Sequence, residues 1–163
     1  MEAPSALFDT DLARRRLARA RQTGYAGFLL DRLAEDLDDR LGAVLRTFSS
    51  VLDLGSPAPA AAQILRARYG EAWHLRLAPL PEAGGDVIVG DPEMLPLAAG
   101  SLDLAVSLLA LHAVNDLPGT LIQLRRALRP DGLFIGCLLG GATLTELRQS
   151  FGQAESEIEG GIS

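Results

Sequence analysis

Two acidic turns in this sequence carry residue types suited to holding a small polar ligand. Asp53-Leu-Gly55 sets a carboxylate two residues before a glycine at the end of an apolar run, and Asp91-Pro-Glu93-Met94 sets two carboxylates about a proline. A carboxylate accepts hydrogen bonds from amino and hydroxyl groups, and glycine lets backbone approach a ligand closely. Each residue also has a plainer role open to it. Asp53 could cap a following helix, Gly55 could simply make a turn, and Asp91 before Pro92 could initiate one. Other reactive types are sparse. His112 follows the apolar run Leu102 to Leu109 and reads as a satisfied loop or core histidine, with a general base as the alternative. His74 reads as a surface residue. Cys137 is the single cysteine, so neither an internal disulfide nor a multi-cysteine zinc site can form, and no metal ligands are assigned. All fifteen basic residues are arginine, which removes lysine Schiff-base chemistry. No catalytic residue is singled out.

The elements that position these turns must come from a chain of 163 residues with 48% hydrophobic content, enough for one core. A formal net charge of -6 argues against nucleic-acid binding, which usually needs a basic face. A local basic patch, Arg14, Arg15, Arg16, Arg19 and Arg21, reads as a solvated face, with folding over a pocket or contact with an acidic partner as alternatives. No signal-peptide pattern and no run of eighteen apolar residues occurs, and the composition suits a reducing compartment. The arginine-rich start has some likeness to a transit peptide, which Glu2, Asp9 and Asp11 weaken.

Residues 1–23 read as a polar arm, helical from Asp11 to Gln22. Tyr25, Leu29, Leu33, Leu37, Leu41 and Leu45 recur every four residues, with Phe28, Leu30 and Val44 beside them, and predict one amphipathic helix. Phe48 to Leu54 reads as the first central strand, Ala60 to Arg68 as a small helix, and Trp73 to Leu77 and Asp86 to Val89 as strands joined without a helix. Leu102 to Leu109 suits a strand covered on both faces. Asn115, Asp116 and Pro118 begin a helix that Pro130-Asp-Gly132 ends, Leu133 to Leu139 is the last strand, and Thr143 with Glu146 predicts a capping box on a short final helix. Alternating strands and helices indicate an α/β fold, an open, mostly parallel, doubly wound Rossmann-like sheet of about five strands. Its last strand, if at an edge, offers unpaired backbone through which two copies of the chain could pair.

Val51-Leu-Asp-Leu-Gly55, Gly90-Asp-Pro-Glu-Met-Leu-Pro96, Gly100-Ser-Leu-Asp103 and Leu128-Arg-Pro-Asp-Gly132, in that order, resemble the motifs of the class I, or seven-stranded, S-adenosylmethionine-dependent methyltransferases. Within that class, Leu7-Phe-Asp9 with Arg14-Arg-Arg16, Ser107-Leu-Leu-Ala-Leu-His-Ala-Val-Asn-Asp116, and Leu139-Gly-Gly-Ala-Thr-Leu-Thr-Glu-Leu-Arg148 are similar to the malonyl-acyl-carrier methyltransferases of biotin synthesis. They are still more similar to relatives serving mitochondrial complex I assembly. The resemblance implies a truncated seven-stranded fold, S-adenosylmethionine as cofactor, and methyl transfer to a small-molecule or protein acceptor. It implies that Asp53 and Gly55 shape the methionine side of the cofactor site, that Asp91 lies near the adenine amino group with Glu93 and Met94 in the flanking turn, and that Leu108 lines the floor. Residues 24–151 would form the domain, and 152–163 a flexible tail or the start of a further part.

The same resemblance exposes departures. Pro57 and Pro59 stand where the family pattern has glycines, and Leu75-Arg-Leu-Ala-Pro79 carries no acid to grasp the ribose hydroxyls; Glu82 comes late for that role. Proline fixes φ and removes an N–H, so it cannot reproduce a glycine turn. The alternative function is therefore a catalytically degenerate scaffold acting in assembly or interaction. The expected compartment is the cytoplasm, with the mitochondrial matrix as the alternative.

Overall fold

A computed structural model describes residues 6–159. Its elements run in the order α1 Thr10–Thr23, α2 Phe28–Gly42, β1 Ser50–Leu54, α3 Ala60–Arg68, β2 Trp73–Ala78, β3 Val87–Val89, β4 Leu102–Leu108, a 3-10 turn Leu111–Ala113, α4 Leu117–Ala127, β5 Leu128–Cys137 and α5 Thr145–Glu159. The five strands form one sheet in the order β3-β2-β1-β4-β5, every pair parallel. Chain order reverses between β1 and β4, so the crevice beyond their carboxyl ends is where a ligand binds in such sheets.

Continuous apolar runs form the central strands because both faces are covered. Val51, Leu104, Val106 and Leu108 pack with Leu30, Ala34, Leu37 and Leu41 of α2 and with Ala61 and Leu65 of α3. On the opposite face Leu52, Leu54, Leu75, Leu77, Leu102 and Ala105 pack with Leu111 and with Leu124 and Ala127 of α4. All seven residues of β4 are buried. The polar one among them near its start, Asp103, accepts from the backbone N–H and hydroxyl of both Ser49 and Ser50 and from Arg129. Although burial disfavours its charge, those bonds hold Asp103 well below the usual carboxylate range. This cluster ties the amino ends of β1 and β4 together, at the end of the sheet away from the crevice.

Several predicted elements sit differently. In α2 the buried register is Leu30, Ala34, Leu37 and Leu41, whereas Phe28 and Leu45 are exposed. A strict spacing of four drifts about 40° around a 3.6-residue helix at each step, so six such residues cannot share one face. β5 begins at Leu128, before Pro130: Leu128 pairs Leu102 and Leu133 pairs Leu104, with the Arg129–Gly132 excursion between them and Asp131 at φ 65. The edge strand therefore does carry a proline and charges near its start. α4 forms as predicted, with the Asp116 carboxylate accepting from Gly119 N and Pro118 in the first turn. The Thr143 capping box is not made. α5 starts at Thr145, whose hydroxyl donates to Ala142 O, and runs to Glu159, so 152–159 are helical. Residues 1–5 and 160–163 lie outside the described residues.

Candidate functional site

Gly55 ends β1 with φ 71, and its N–H donates to Leu77 O at 2.8 Å, which swings the chain out of the sheet. A Cβ there would lie 3.1 Å from Ala110 Cβ and 3.2 Å from Pro92 Cγ. Glycine is needed twice over at this position, for backbone conformation and for close packing of three loops. Beyond it opens a cavity of about 200 Å³ between the carboxyl ends of the strands and α1. Gly55, Pro57, Pro79, Asp91, Leu109 and Ala110 lie on its sheet side and Thr10, Ala13, Arg14 and Leu17 on its helix side.

The floor next to this cavity is an ion network built by strand register. Asp53 and Arg76 are direct partners across the β1·β2 ladder, so their side chains emerge on one face. Asp53 is 0% and Arg76 3% exposed. Arg76 Nη1 donates to Asp53 Oδ2, Arg76 Nη2 to Ser56 O at 2.9 Å, and the Ser56 hydroxyl donates to Asp53 Oδ1 at 2.5 Å. The other edge of the guanidinium holds Glu82, with Nε to Oε2 at 2.8 Å and Nη2 to Oε1 at 2.9 Å. Arg21 of α1 adds a third bond, Nη2 to Glu82 Oε1 at 2.7 Å, and also donates to Pro57 O. Hydrogen bonding from Arg76 pulls the Glu82 carboxyl down, against its burial. Burial pushes Asp53 up, and the contacts from Arg76 and Ser56 oppose that. Bidentate guanidinium bonds to carboxylates are the geometry that makes such buried charges tolerable.

α1 lies across the cavity as a strap. Asp9 caps it, accepting from Leu12 N at 2.8 Å. Thr10, Ala13, Arg14 and Leu17 share the inward face, and Arg21 continues it one turn on. Among its described residues none is fully buried. Polar contacts hold it instead. Arg14 Nη2 lies 3.5 Å from Asp91 Oδ2, Arg21 grips Glu82, and the Asn115 side chain exchanges two bonds with the Phe8 backbone, accepting from N at 2.7 Å and donating to O at 3.1 Å. Arg15, Arg16 and Arg19 are exposed, as a solvated face would be.

The residues expected to form a binding site are thus brought together unequally. Gly55, Asp91 and Glu93 line the cavity. Asp91 Oδ1 accepts from Glu93 N at 2.9 Å, so the turn-making role is realised, and Oδ2 meets only the long Arg14 contact among the described residues. Glu93 Oε1 accepts from Asn115 N at 2.6 Å. Asp53 is wholly engaged by Arg76 and Ser56. Leu108 is 2% exposed and packs with α2 and β5, away from the cavity, while its N–H donates to the Ser56 hydroxyl. Met94 is 75% exposed and does not line the cavity. His112 is half-buried, with Nδ1 lacking a hydrogen-bond partner among the described residues, and burial lowers its pKa. Arg76, Arg21, Glu82 and Asn115 were not singled out as site residues. For Arg76 the available signal was a lone arginine inside the strand Trp73 to Ala78, and for Arg21 the basic patch, for which folding over a pocket was an alternative. No group of three or more metal-ligating side chains occurs among the described residues, and no helix among them is long and apolar enough to cross a membrane.

Comparison with known proteins agrees with this architecture. The human mitochondrial protein named arginine-hydroxylase NDUFAF5 is 37% identical over 96% of this chain and 49% of its own length. The malonyl-[acyl-carrier protein] O-methyltransferase of Laribacter hongkongensis is 37% identical over 88% of this chain and 56% of its own length. The chain spans about half the length of the curated relatives it matches. Among solved structures, a Haloferax volcanii protein described as a methyltransferase, in complex with the Trm112 methyltransferase activator, superposes with a TM-score of 0.60 at 25% identity, covering 80% of this chain and 60% of that one. A Methanococcus maripaludis structure at 18% identity shares the fold, with a TM-score of 0.53 over 96% of this chain and 75% of that one. A family model described as a methyltransferase domain matches residues 52–136, the switch-point strands and the turns that close the cavity. With more than half of its length inside that match, the chain belongs to the methyltransferase domain family.

Proposed function

We propose that this chain is the cofactor-binding part of an S-adenosylmethionine-dependent methyltransferase-like protein that transfers a methyl group to a small-molecule or protein acceptor. The observation that carries this reading is the Asp91 turn, whose Oδ2 faces an apolar cavity at the β1·β4 switch point with only a 3.5 Å contact to Arg14. A carboxylate so placed suits the amino group of an adenine, with Pro92, Leu109 and Ala110 as walls. Beside the cavity, outside its lining, two guanidiniums close on the Glu82 carboxylate, a donor set suited to a carboxylate. The cavity lining therefore suits the adenine end of the cofactor, and its volume of about 200 Å³ is smaller than the roughly 300–1,000 Å³ usual for ligand sites.

When bound, the cofactor supplies a methyl group made electrophilic by its sulfonium. The chain's own task is to orient and to exclude water, which needs no dedicated base. On this reading Asp91 accepts from the adenine edge, Gly55 keeps the β1 turn close, and α1 covers the cavity with Leu17. Residues 24–151 form the domain to which that helical arm is attached.

A second reading is favoured by one observation, the Asp53–Arg76 pair beside Pro57 and Pro59. It is a catalytically degenerate scaffold acting as an assembly or interaction protein. Relatives named for an acyl carrier protein, and a neighbour solved with an activator protein, support a protein partner in either case. Relatives named mitochondrial support the matrix as an alternative to the cytoplasm. Titration calorimetry with S-adenosylmethionine separates the readings. Saturable heat weakened by Asp91→Ala is the expected result, and no heat or thermal shift at millimolar cofactor leaves the scaffold.

A further inference from the structure

Glu82 is held as a bound ligand would be. It sits on the 79–86 loop between β2 and β3, flanked by exposed Pro81 and Ala83, and its carboxylate receives three bonds from two guanidiniums. Each arginine also has a partner other than Glu82. Arg76 is fixed along its other edge by Asp53 and Ser56 O, and Arg21 by Pro57 O. A fork anchored independently of the anion it grips is preorganised for any carboxylate of the same shape.

The surroundings give such a carboxylate a way in. Pro57 and Pro79 beside the network line the cavity under α1. Arg21 and Glu82 line an open groove on the far side, with Tyr25, Ala58, Pro59 and Ala83. Glu82 and Arg21 line that groove with side chains 15% and 25% exposed. Charge counting favours replacement over vacancy. Arg21 and Arg76 balance Asp53 and Glu82, so withdrawal of Glu82 leaves a net positive charge that another anion would offset.

We propose that Arg21 and Arg76 form a binding site for the carboxylate of a small-molecule ligand, and that Glu82 occupies it as an internal competitor until that ligand arrives. The proposal rests on the cofactor reading for the cavity but not for the site itself. The carboxylate has two candidate sources, the amino-acid end of the cofactor or a separate carboxylic acid bound beside it. Replacing Glu82 by a neutral residue removes the competitor and leaves both guanidiniums in place.

The test is calorimetric titration of the full chain, wild type, Glu82→Gln, Glu82→Ala and Glu82→Gln with Arg21→Gln, each checked for a cooperative melt. Three probes are used: S-adenosylmethionine, 5′-methylthioadenosine, which keeps the nucleoside and sulfur but has no carboxylate, and malonate. Both Glu82 variants are expected to bind S-adenosylmethionine or malonate about tenfold more tightly, with methylthioadenosine unchanged, and Arg21→Gln to remove the gain. A gain confined to one carboxylate probe identifies the source. Unchanged affinity for both carboxylate probes overturns the proposal, as does an equal gain for methylthioadenosine, which would mean the loop had simply opened. If neither adenosine compound binds any variant, the cofactor reading fails, and the malonate titration alone decides whether the site exists.

Discussion

Asp53 and Arg76 are register partners on adjacent parallel strands and form a salt bridge in which neither side chain is more than 3% exposed. Removing Arg76 leaves Asp53 an unpaired charge in the core, and removing Asp53 leaves Arg76 without its buried register partner. Asp53→Leu and Arg76→Met should each cost about 3–5 kcal/mol, whereas Asp53→Leu with Arg76→Met should cost much less than the sum. Urea unfolding of the two single variants and the double variant measures the difference, and additive losses would show that the pair is not coupled.

The prolines after Gly55 are a lesser obstacle to a ligand than this network. Pro57→Gly with Pro59→Gly is expected to lower stability by about 0.4–1 kcal/mol per site and to leave cofactor affinity unchanged, because Arg76 still holds Asp53. Calorimetry on the double variant checks this. A large gain in affinity would show that the prolines themselves close the methionine side.

Asp103 gives the protein an acid sensitivity with a definite sign. Its folded pKa lies below its unfolded value of about 3.9, so the unfolded chain takes up the proton first. The stability contributed by Asp103 is full above that value and is lost as pH falls toward the folded pKa. Thermal melts from pH 7 to pH 3 should therefore fall more steeply in the wild type than in Asp103→Asn, which begins less stable at neutral pH. Parallel curves would remove Asp103 from the account.

His112 acts in the same direction at higher pH. Burial lowers its pKa, so its neutral form is favoured in the fold and stability is lost as pH drops through the ordinary histidine value of about 6.5 toward the folded one. His112→Gln should flatten the melting curve between pH 7 and pH 5, and an NMR titration of the ring should show a midpoint below 6.5.

The strap over the cavity is secured by polar contacts rather than by core packing. Arg14→Ala with Asn115→Ala should raise amide exchange throughout α1 while leaving the exchange of β1 and β4 unchanged. Exchange rising equally in the strands would mean that the helix is part of the global folding unit.

What could be read from the sequence, and what could not, follows from the range of the forces involved. β1 and β4 were legible because strands covered on both faces are continuous apolar runs, and the Asp91 turn was legible because Asp-Pro acts within a few residues. The Asp53–Arg76 pair was not, because it depends on the parallel register of β1 with β2, which no local pattern reveals. For the same reason nothing local showed that Glu82 turns back on its loop to meet Arg76 and Arg21. Leu108 and Met94 were assigned by family position, and packing sent one into the core and the other into solvent. The excursion at Arg129–Gly132 hid the start of β5, since Pro130 looked like a boundary although Leu128 already pairs Leu102.

The two arginine contacts of α1 make that helix a gauge of length. Arg14 and Arg21 are seven residues apart, two turns or about 10 Å along the axis, and point the same way to meet Asp91 and Glu82. Adding or removing one residue between them would turn one arginine by about 100° around the axis and leave one of the two carboxylates without its partner. The arm can vary in composition along its outer face, but its phase between those two residues is set by the distance across the cavity that it spans.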